Sequence, residues 1–253
     1  MVTPLRVLSS NGPVRVELAR WQDRLVVVKR IQGGSPLLEE RLRREATVVS
    51  KLQHENIVPL LATEGGSLIY AYCPGVPLSD VLEEGALRFA RAVRIASDVL
   101  RALEYAHALG VIHCDVKPSN IILKGERALL TDFGFAKDLA LTAITSQGMM
   151  LGTPNYMSPE QFQGERDDPR SDLYSVGAIL YHMLTGEPPY GSMVVRFLIG
   201  DPNVSLKPLP AAAAPLAGVI STALSRSPEA RFASAGGMLA ALQQVAFTHD
   251  PVV

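Results

Sequence analysis

The chain has no surplus of positive charge: 24 Lys and Arg stand against 25 Asp and Glu in 253 residues, a formal charge of −1. That balance excludes a nucleic-acid binder held by a broad basic field, and a polybasic protein held on a membrane surface. Cysteine is equally scarce. Cys73 and Cys114 are the only two, too few for a disulfide framework, so a reducing compartment is expected. No apolar run approaches the roughly 18 to 20 residues of a membrane span. The longest, Ala211–Ile220 and Val176–Leu184, are interrupted by Pro215 and Gly218 in the first and His182 in the second, and each reads as buried helix. The opening Met1–Arg6 lacks the basic-then-apolar layout of a signal peptide. The expectation is a soluble, cytoplasmic chain with no membrane contact. There is no internal repeat and no low-complexity tract; Gly 20 and Pro 18 are scattered as turn formers. What is there, 47% hydrophobic and 19% charged, describes a globular chain long enough for one large domain or two lobes sharing a core.

The two ends differ in texture. Residues 1 to 72 hold short β-rich runs at Val14–Ala19, Arg24–Ile31, Ile57–Ala62 and Leu68–Tyr72; Leu25–Val28 is a continuous, β-branched-rich run of strand length. One helix interrupts them. After Ser35 and Pro36, the apolar residues Leu38, Leu42, Ala46, Val49 and Leu52 recur at three- and four-residue spacing among Glu39, Glu40, Arg41, Arg43 and Arg44. From about residue 78 the pattern turns helical. Phe89, Val93, Ala96, Leu100, Leu103 and Ala106 line a stripe ending at Gly110, a good C-terminal cap. Ser171–Gly186 is a second long apolar helix, and Leu216–Leu224 and Gly237–Val245 suggest two more. The expected architecture is α+β: a small lobe (1–72) of sheet and one helix, then a larger, mainly helical lobe (73–253), with a cleft near residues 70–77.

Between the long helices lies a polar middle containing His113-Cys-Asp115-Val-Lys117-Pro-Ser-Asn120 and Thr131-Asp132-Phe-Gly134. Taken singly, each acid or Asn is an ordinary turn former. Taken together, an acid, a Lys two residues on, an Asn five on and a second acid seventeen on make the layout of metal-assisted phosphoryl transfer.

At these residues the sequence resembles the protein kinases, specifically the Ser/Thr kinases of eukaryotic type found in bacteria, and the resemblance covers nearly the whole chain. Val26-Val-Val-Lys29 stands where the third-strand lysine is expected, and Glu45 where its helix partner should be. His113–Asn120 is similar to the catalytic loop and Asp132-Phe133-Gly134 to the metal-binding triplet. Gly152–Tyr156 and Ser158-Pro-Glu160 look like the end of an activation segment. Asp172–Gly177 looks like the start of the buried central helix of the large lobe, and Ser227–Arg231 carries the late arginine that pairs with Glu160.

The resemblance implies a Ser/Thr protein kinase using ATP with Mg²⁺ (Mn²⁺ as a substitute), acting on a protein hydroxyl and autophosphorylating. Asp115 is the implied catalytic acceptor or orienter of the hydroxyl proton, with Lys117 beside it to neutralise γ-phosphate charge. Asp132 and Asn120 are the implied metal ligands, and Lys29, held by Glu45, contacts the phosphates. For the nucleotide, Tyr70 falls at the gatekeeper position. Ala71 and Cys73 offer hinge backbone, Val16 and Val27 a roof, and Ile122 a floor; for these apolar residues ordinary core packing is nearly as strong a reading. Structural roles fall to His113 against Phe133, to Gly134 and Thr153, to Asp172 on the catalytic-loop backbone, and to Glu160 with Arg231. A monomer and a homodimer are both left open.

Three positions depart from the family pattern. With Val16 in register, the three glycines of the phosphate-covering loop fall on Ser9, Asn11 and Val14, and the only glycine in that stretch is Gly12. Glycine serves such loops because backbone must approach phosphates without a Cβ in the way, so weaker ATP binding is expected. This loop supports the alternative reading, a pseudokinase scaffold or allosteric partner. Cys114 replaces the arginine that meets a phosphorylated activation-loop residue, so dependence on phosphorylation at Thr142, Thr145 or Ser146 is expected to be weak. Ser158 replaces alanine, a change of little consequence by size.

Overall fold

The computed structural model describes residues 2–10, 14–33, 36–133 and 154–249. Asn11, Gly12, Gly134, Thr142, Thr145, Ser146 and Thr153 lie outside the described residues.

Five antiparallel strands make the first sheet: β1 (Val2–Ser9), β2 (Val14–Trp21), β3 (Arg24–Ile31), β4 (Leu60–Glu64) and β5 (Ser67–Ala71), in the order β1-β2-β3-β5-β4. Between β2 and β3 the turn is only Gln22-Asp23, both at positive φ (48° and 59°), and Trp21 pairs with Arg24. Two residues in the left-handed region match the twist of a tight hairpin, and the short polar side chain of Asp tolerates it. Strand period sorts β3: Val26 and Val28 bury on the outer face with Ala19 and Ile69, while Lys29 turns inward.

Helix α1 (Pro36–Val49) packs on the inner face and, among its described side chains, buries Leu42, Glu45 and Val49. The segment after it is stitched to the second half of the chain. Val58 N donates to the Leu130 carbonyl at 3.0 Å, Leu130 N to Asn56 at 2.8 Å, and Asn56 Nδ2 to Ala128 at 2.9 Å.

A second, three-stranded sheet of β6 (Val76–Pro77), β7 (Ile121–Lys124) and β8 (Arg127–Leu130) lies below the cleft. The rest of that half is helical: α2 (Leu78–Glu83), α3 (Phe89–Ala108), α4 (Pro159–Phe162), α5 (Arg170–Thr185), α6 (Val194–Leu198), α7 (Ala217–Ala223) and α8 (Ala235–His249). Helix α5 is buried on nearly every side, which follows from its even apolar content. Gly177 on it lies so close to α7 that a Cβ there would meet Ala223 Cβ at 2.6 Å. One buried cluster runs without a break from Leu42 and Tyr70 through α3 and α5 to Leu242 of α8.

Three expectations are corrected. β1 is absent from the sequence-predicted strands, because as an edge strand it is exposed at seven of its eight residues and has no buried face to produce alternation. The run Ile57–Ala62 is strand only from Leu60; Pro59 has no N–H to donate to a ladder, and Ile57 makes a single isolated bridge to Leu130. Ala211–Ile220 is not one buried helix. Its first part is a 3₁₀ turn over Ala211–Leu216 containing Pro215, with Ala213 and Leu216 buried, and α7 begins after it.

Candidate active site

Lys29 reaches the cleft because β3 alternation points it inward, opposite Val16 on β2 and Leu68 on β5. Its Nζ donates to Glu45 Oε1 at 3.0 Å and to Asp132 Oδ1 at 3.1 Å. Three chain segments thus meet on one ammonium. Burial by itself would lower the Lys29 pKa, but the facing Asp132 and Glu45 carboxylates outweigh it and hold it above the ordinary lysine value. Burial would likewise raise Asp132, yet Lys29, with help from His113 and Lys117, holds that carboxyl below its usual range. Glu45 goes the other way: burial dominates and raises its pKa, against the opposing pull of Lys29 and Tyr70. Tyr70, buried on β5, donates its hydroxyl to the same Glu45 Oε1 at 2.9 Å.

Across the cleft, Lys117 Nζ lies 2.7 Å from Asp115 Oδ2, each side chain about 40% exposed (41% and 40%). Asn120 Nδ2 donates to the Asp115 carbonyl at 2.9 Å and to the same Oδ2 at 3.2 Å. The Lys117 and Asn120 side chains thus converge on Asp115 Oδ2. Spending the Asn120 nitrogen on Asp115 leaves its amide oxygen as the atom for a cation. No cluster of three or more His, Cys, Asp or Glu side chains able to hold a metal ion occurs among the described residues. A carboxylate and an amide oxygen are hard donors that suit a magnesium-class ion completed by phosphate oxygens and water. The residues therefore fit the implied cation.

The loop carrying Asp115 is held by backbone contacts to one buried acid. Asp172, on the first turn of α5, accepts from His113 N and Cys114 N at 2.9 Å each and from His107 Nε2 at 2.9 Å. Cys114 and Asp132 sit at positive φ, 66° and 63°, a backbone state worth about 1–3 kcal/mol of strain for such residues. The Asp172 bonds and the Lys29 pair are what hold them there. His113 Nε2 donates to the Thr131 carbonyl at 2.9 Å while Nδ1 accepts from Asp115 N at 3.2 Å, and the ring packs on Phe133 with centroids 4.6 Å apart.

Glu160 and Arg231 form a two-pronged buried pair at 2.5 and 2.7 Å. Arg231 spends its remaining donors on the carbonyls of Ser225, Arg226 and Arg170, and Ser171 Oγ donates to Glu160 Oε1 at 2.6 Å. Ser158 does more than match alanine in size. It is buried and caps α4, its Oγ accepting from Gln161 N while Gln161 Oε1 accepts from Ser158 N. Gln161 Nε2 then donates to the Cys114 carbonyl at 3.1 Å.

The expected nucleotide positions line the edge of the cleft. Val27 stands opposite Tyr70 and Val26 opposite Ala71. Ala71 N donates to the Pro59 carbonyl at 3.0 Å, so its N–H is already engaged within the fold. Cys73 is half-buried. Ile122 faces Pro77 and Leu129 in the lower sheet, and Gly75 lets the connecting segment lie on it, since a Cβ there would meet Ile122 Cγ2 at 2.8 Å. Ser9 ends β1 opposite Val16. His107, Ser171, Gln161 and the Tyr70–Glu45 bond are site features that sequence reasoning missed. The first three carried a weak signal at best, a polar residue on an otherwise apolar helix face or one turn inside a capping box.

Residues 10–238 match the family model described as a protein kinase domain. The chain is 36% identical over 263 residues to the serine/threonine-protein kinase PknB of Mycobacterium tuberculosis, covering 94% of this chain and 42% of that one. It is 38% identical over 252 residues to PknJ of the same organism, covering 91% and 43%. It thus spans less than half the length of these curated relatives. The crystal structure of a point mutant of the M. tuberculosis PknI kinase domain superposes with a TM-score of 0.72 at 27% identity, covering 97% of this chain and 95% of that one.

Proposed function

Because the chain belongs to the protein kinase domain family, we propose that it is a serine/threonine protein kinase core transferring the γ-phosphoryl group of ATP to a protein hydroxyl. The observation that carries the reading is the intact charge network: Lys29 paired with both Glu45 and Asp132, facing Asp115 with Lys117 and Asn120. A scaffold with no catalytic task would have no reason to keep six polar residues aimed into one cleft, three of them at least nine-tenths buried.

The transferred group carries negative charge that must be met by fixed cations. Lys29 binds phosphate oxygens, prevented from swinging away by Glu45. Lys117 meets charge at the γ-phosphate. Asp115 orients the acceptor hydroxyl and takes its proton as the new O–P bond forms and the β–γ bridging bond breaks, releasing ADP. Asp132 and the Asn120 amide oxygen would hold Mg²⁺, which when bound neutralises phosphate charge.

Cys114 bears on regulation. Its Sγ lies 3.8 Å from the Ile112 carbonyl and 3.6 Å from the Arg166 carbonyl, and a thiol supplies no charge to a phosphorylated segment. Activity in this reading depends weakly on activation-segment phosphorylation. A chain with only two cysteines, Cys73 and Cys114, suits the cytoplasm. No helix of the described residues is long and apolar enough to cross a membrane.

The test is transfer of labelled γ-phosphate to the protein itself or to a generic basic protein, with Mg²⁺ or Mn²⁺. Label on serine or threonine is expected. No transfer together with no ATP-dependent thermal shift would overturn the proposal; a shift without transfer would favour the scaffold.

A further inference from the structure

The buried Glu45 carboxylate takes both of its hydrogen bonds on one oxygen. Lys29 and Tyr70 both donate to Oε1, while Oε2 is buried with no hydrogen-bond partner. Among its described side chains, α1 buries Leu42 and Val49 besides Glu45, with Ala46 and Val48 partly buried against the core. Tyr70, by contrast, stands on β5 between β3 and β4, with Val27 and Leu60 as its backbone neighbours. A donor on the sheet thus holds an acid on a helix, beside the Lys29 ion pair and the packing of Leu42 and Val49.

We propose that Tyr70 is a positioning residue that latches α1 with Glu45 engaged on Lys29 before nucleotide arrives. The proposal rests on the kinase reading above and names its regulation: the phosphate-binding lysine is set by a hydroxyl built into the fold. Tyr70 touches neither phosphate nor acceptor; it acts through Glu45.

The physical stake is the buried carboxylate. With the Tyr70 hydroxyl gone, Glu45 keeps one donor in a water-poor site, and an unmet buried charge shifts the engaged-to-disengaged ratio by roughly ten- to hundredfold. The charged and titratable groups facing Glu45 are Lys29 from β3, Tyr70 from β5 and Asp132 after β8. Of these, Lys29 and Tyr70 favour the ionised carboxylate, so losing the Tyr70 bond moves the Glu45 titration upward.

The test compares Tyr70→Phe and Tyr70→Met with the wild-type chain. Amide hydrogen exchange across residues 36–49 is read without nucleotide, and KM for ATP, kcat and the pH profile are read with it. In both variants α1 exchange is expected to quicken by about tenfold or more. KM for ATP should rise by at most that factor, and by its full extent only where the disengaged state comes to dominate, while kcat at saturation stays within about twofold, because bound nucleotide re-selects the engaged state. The acid limb of kcat/KM should move to higher pH. Unchanged α1 exchange in Tyr70→Phe would overturn the latch. So would faster exchange spread over the whole sheet, or an effect in Tyr70→Met alone, since either would mark ring packing instead of the hydroxyl. Exchange needs no catalysis, so a wild-type chain that transfers no phosphate would overturn the kinase reading and leave this result to decide the latch.

Discussion

At the scale of single residues, the strongest polar contact is the one between Glu160 and Arg231. Breaking a buried pair from one side costs about 3–5 kcal/mol, because the remaining charge is stranded. Arg231→Met should therefore lower stability by that order in urea or thermal unfolding. The pair also sets an acid limit. Burial by itself would raise the Glu160 pKa, but Arg231 and Ser171 hold it below the ordinary glutamate value. A depressed carboxyl stabilises the fold fully above its unfolded value of about 4.3 and loses that contribution as pH falls through the folded value. The stability gap between wild type and Glu160→Gln should thus be widest near neutral pH and narrow below about pH 4. A gap independent of pH would show that the carboxylate charge is not what the pair contributes.

At the scale of elements, the α5–α7 contact makes a prediction in which two effects oppose. Gly177→Ala gains about 1 kcal/mol of helix propensity, but its methyl would stand 2.6 Å from Ala223 Cβ, and overpacking costs about 1–3 kcal/mol. The crowding wins: denaturant unfolding should show a net loss of about 1 kcal/mol, and Gly177→Val a larger one. A stabilised Gly177→Ala would mean that the helices part at no cost. Elements were legible in the sequence where one face is buried. The stripe from Phe89 to Ala106 shows its period because burial selects it, the run Leu25–Val28 shows its β-branched apolar content, and both form the expected element. β1 has no such face, and short α2, α4 and α6 are held by tertiary contacts that leave little periodicity. In the site, residue types at fixed spacing were legible because charge chemistry demands them. The Tyr70–Glu45 bond was not, since nothing in a strand's period tells where a tyrosine hydroxyl ends.

At the scale of the whole molecule, a net charge of −1 conceals charges drawn from distant parts of the chain. Lys29 and Asp132, 103 residues apart, meet at 3.1 Å, and Asp172 fastens the catalytic loop from the centre of the helical half. In the proposed reading, activity depends only weakly on phosphorylation of the activation segment. Replacing Thr142, Thr145 and Ser146 together by Ala should leave activity within about tenfold, against the larger loss expected where a charge-assisted phosphate contact orders the segment; a greater loss with intact folding would contradict this. The central claim is that Asp115 handles the acceptor proton in a site built for ATP. The measurement that meets it most directly is the rate of γ-phosphate transfer by Asp115→Asn beside wild type, each at saturating ATP and Mg²⁺ with nucleotide binding checked separately. Retained binding and a rate reduced roughly 10²–10⁴-fold are expected; full activity in Asp115→Asn would overturn the role given to Asp115.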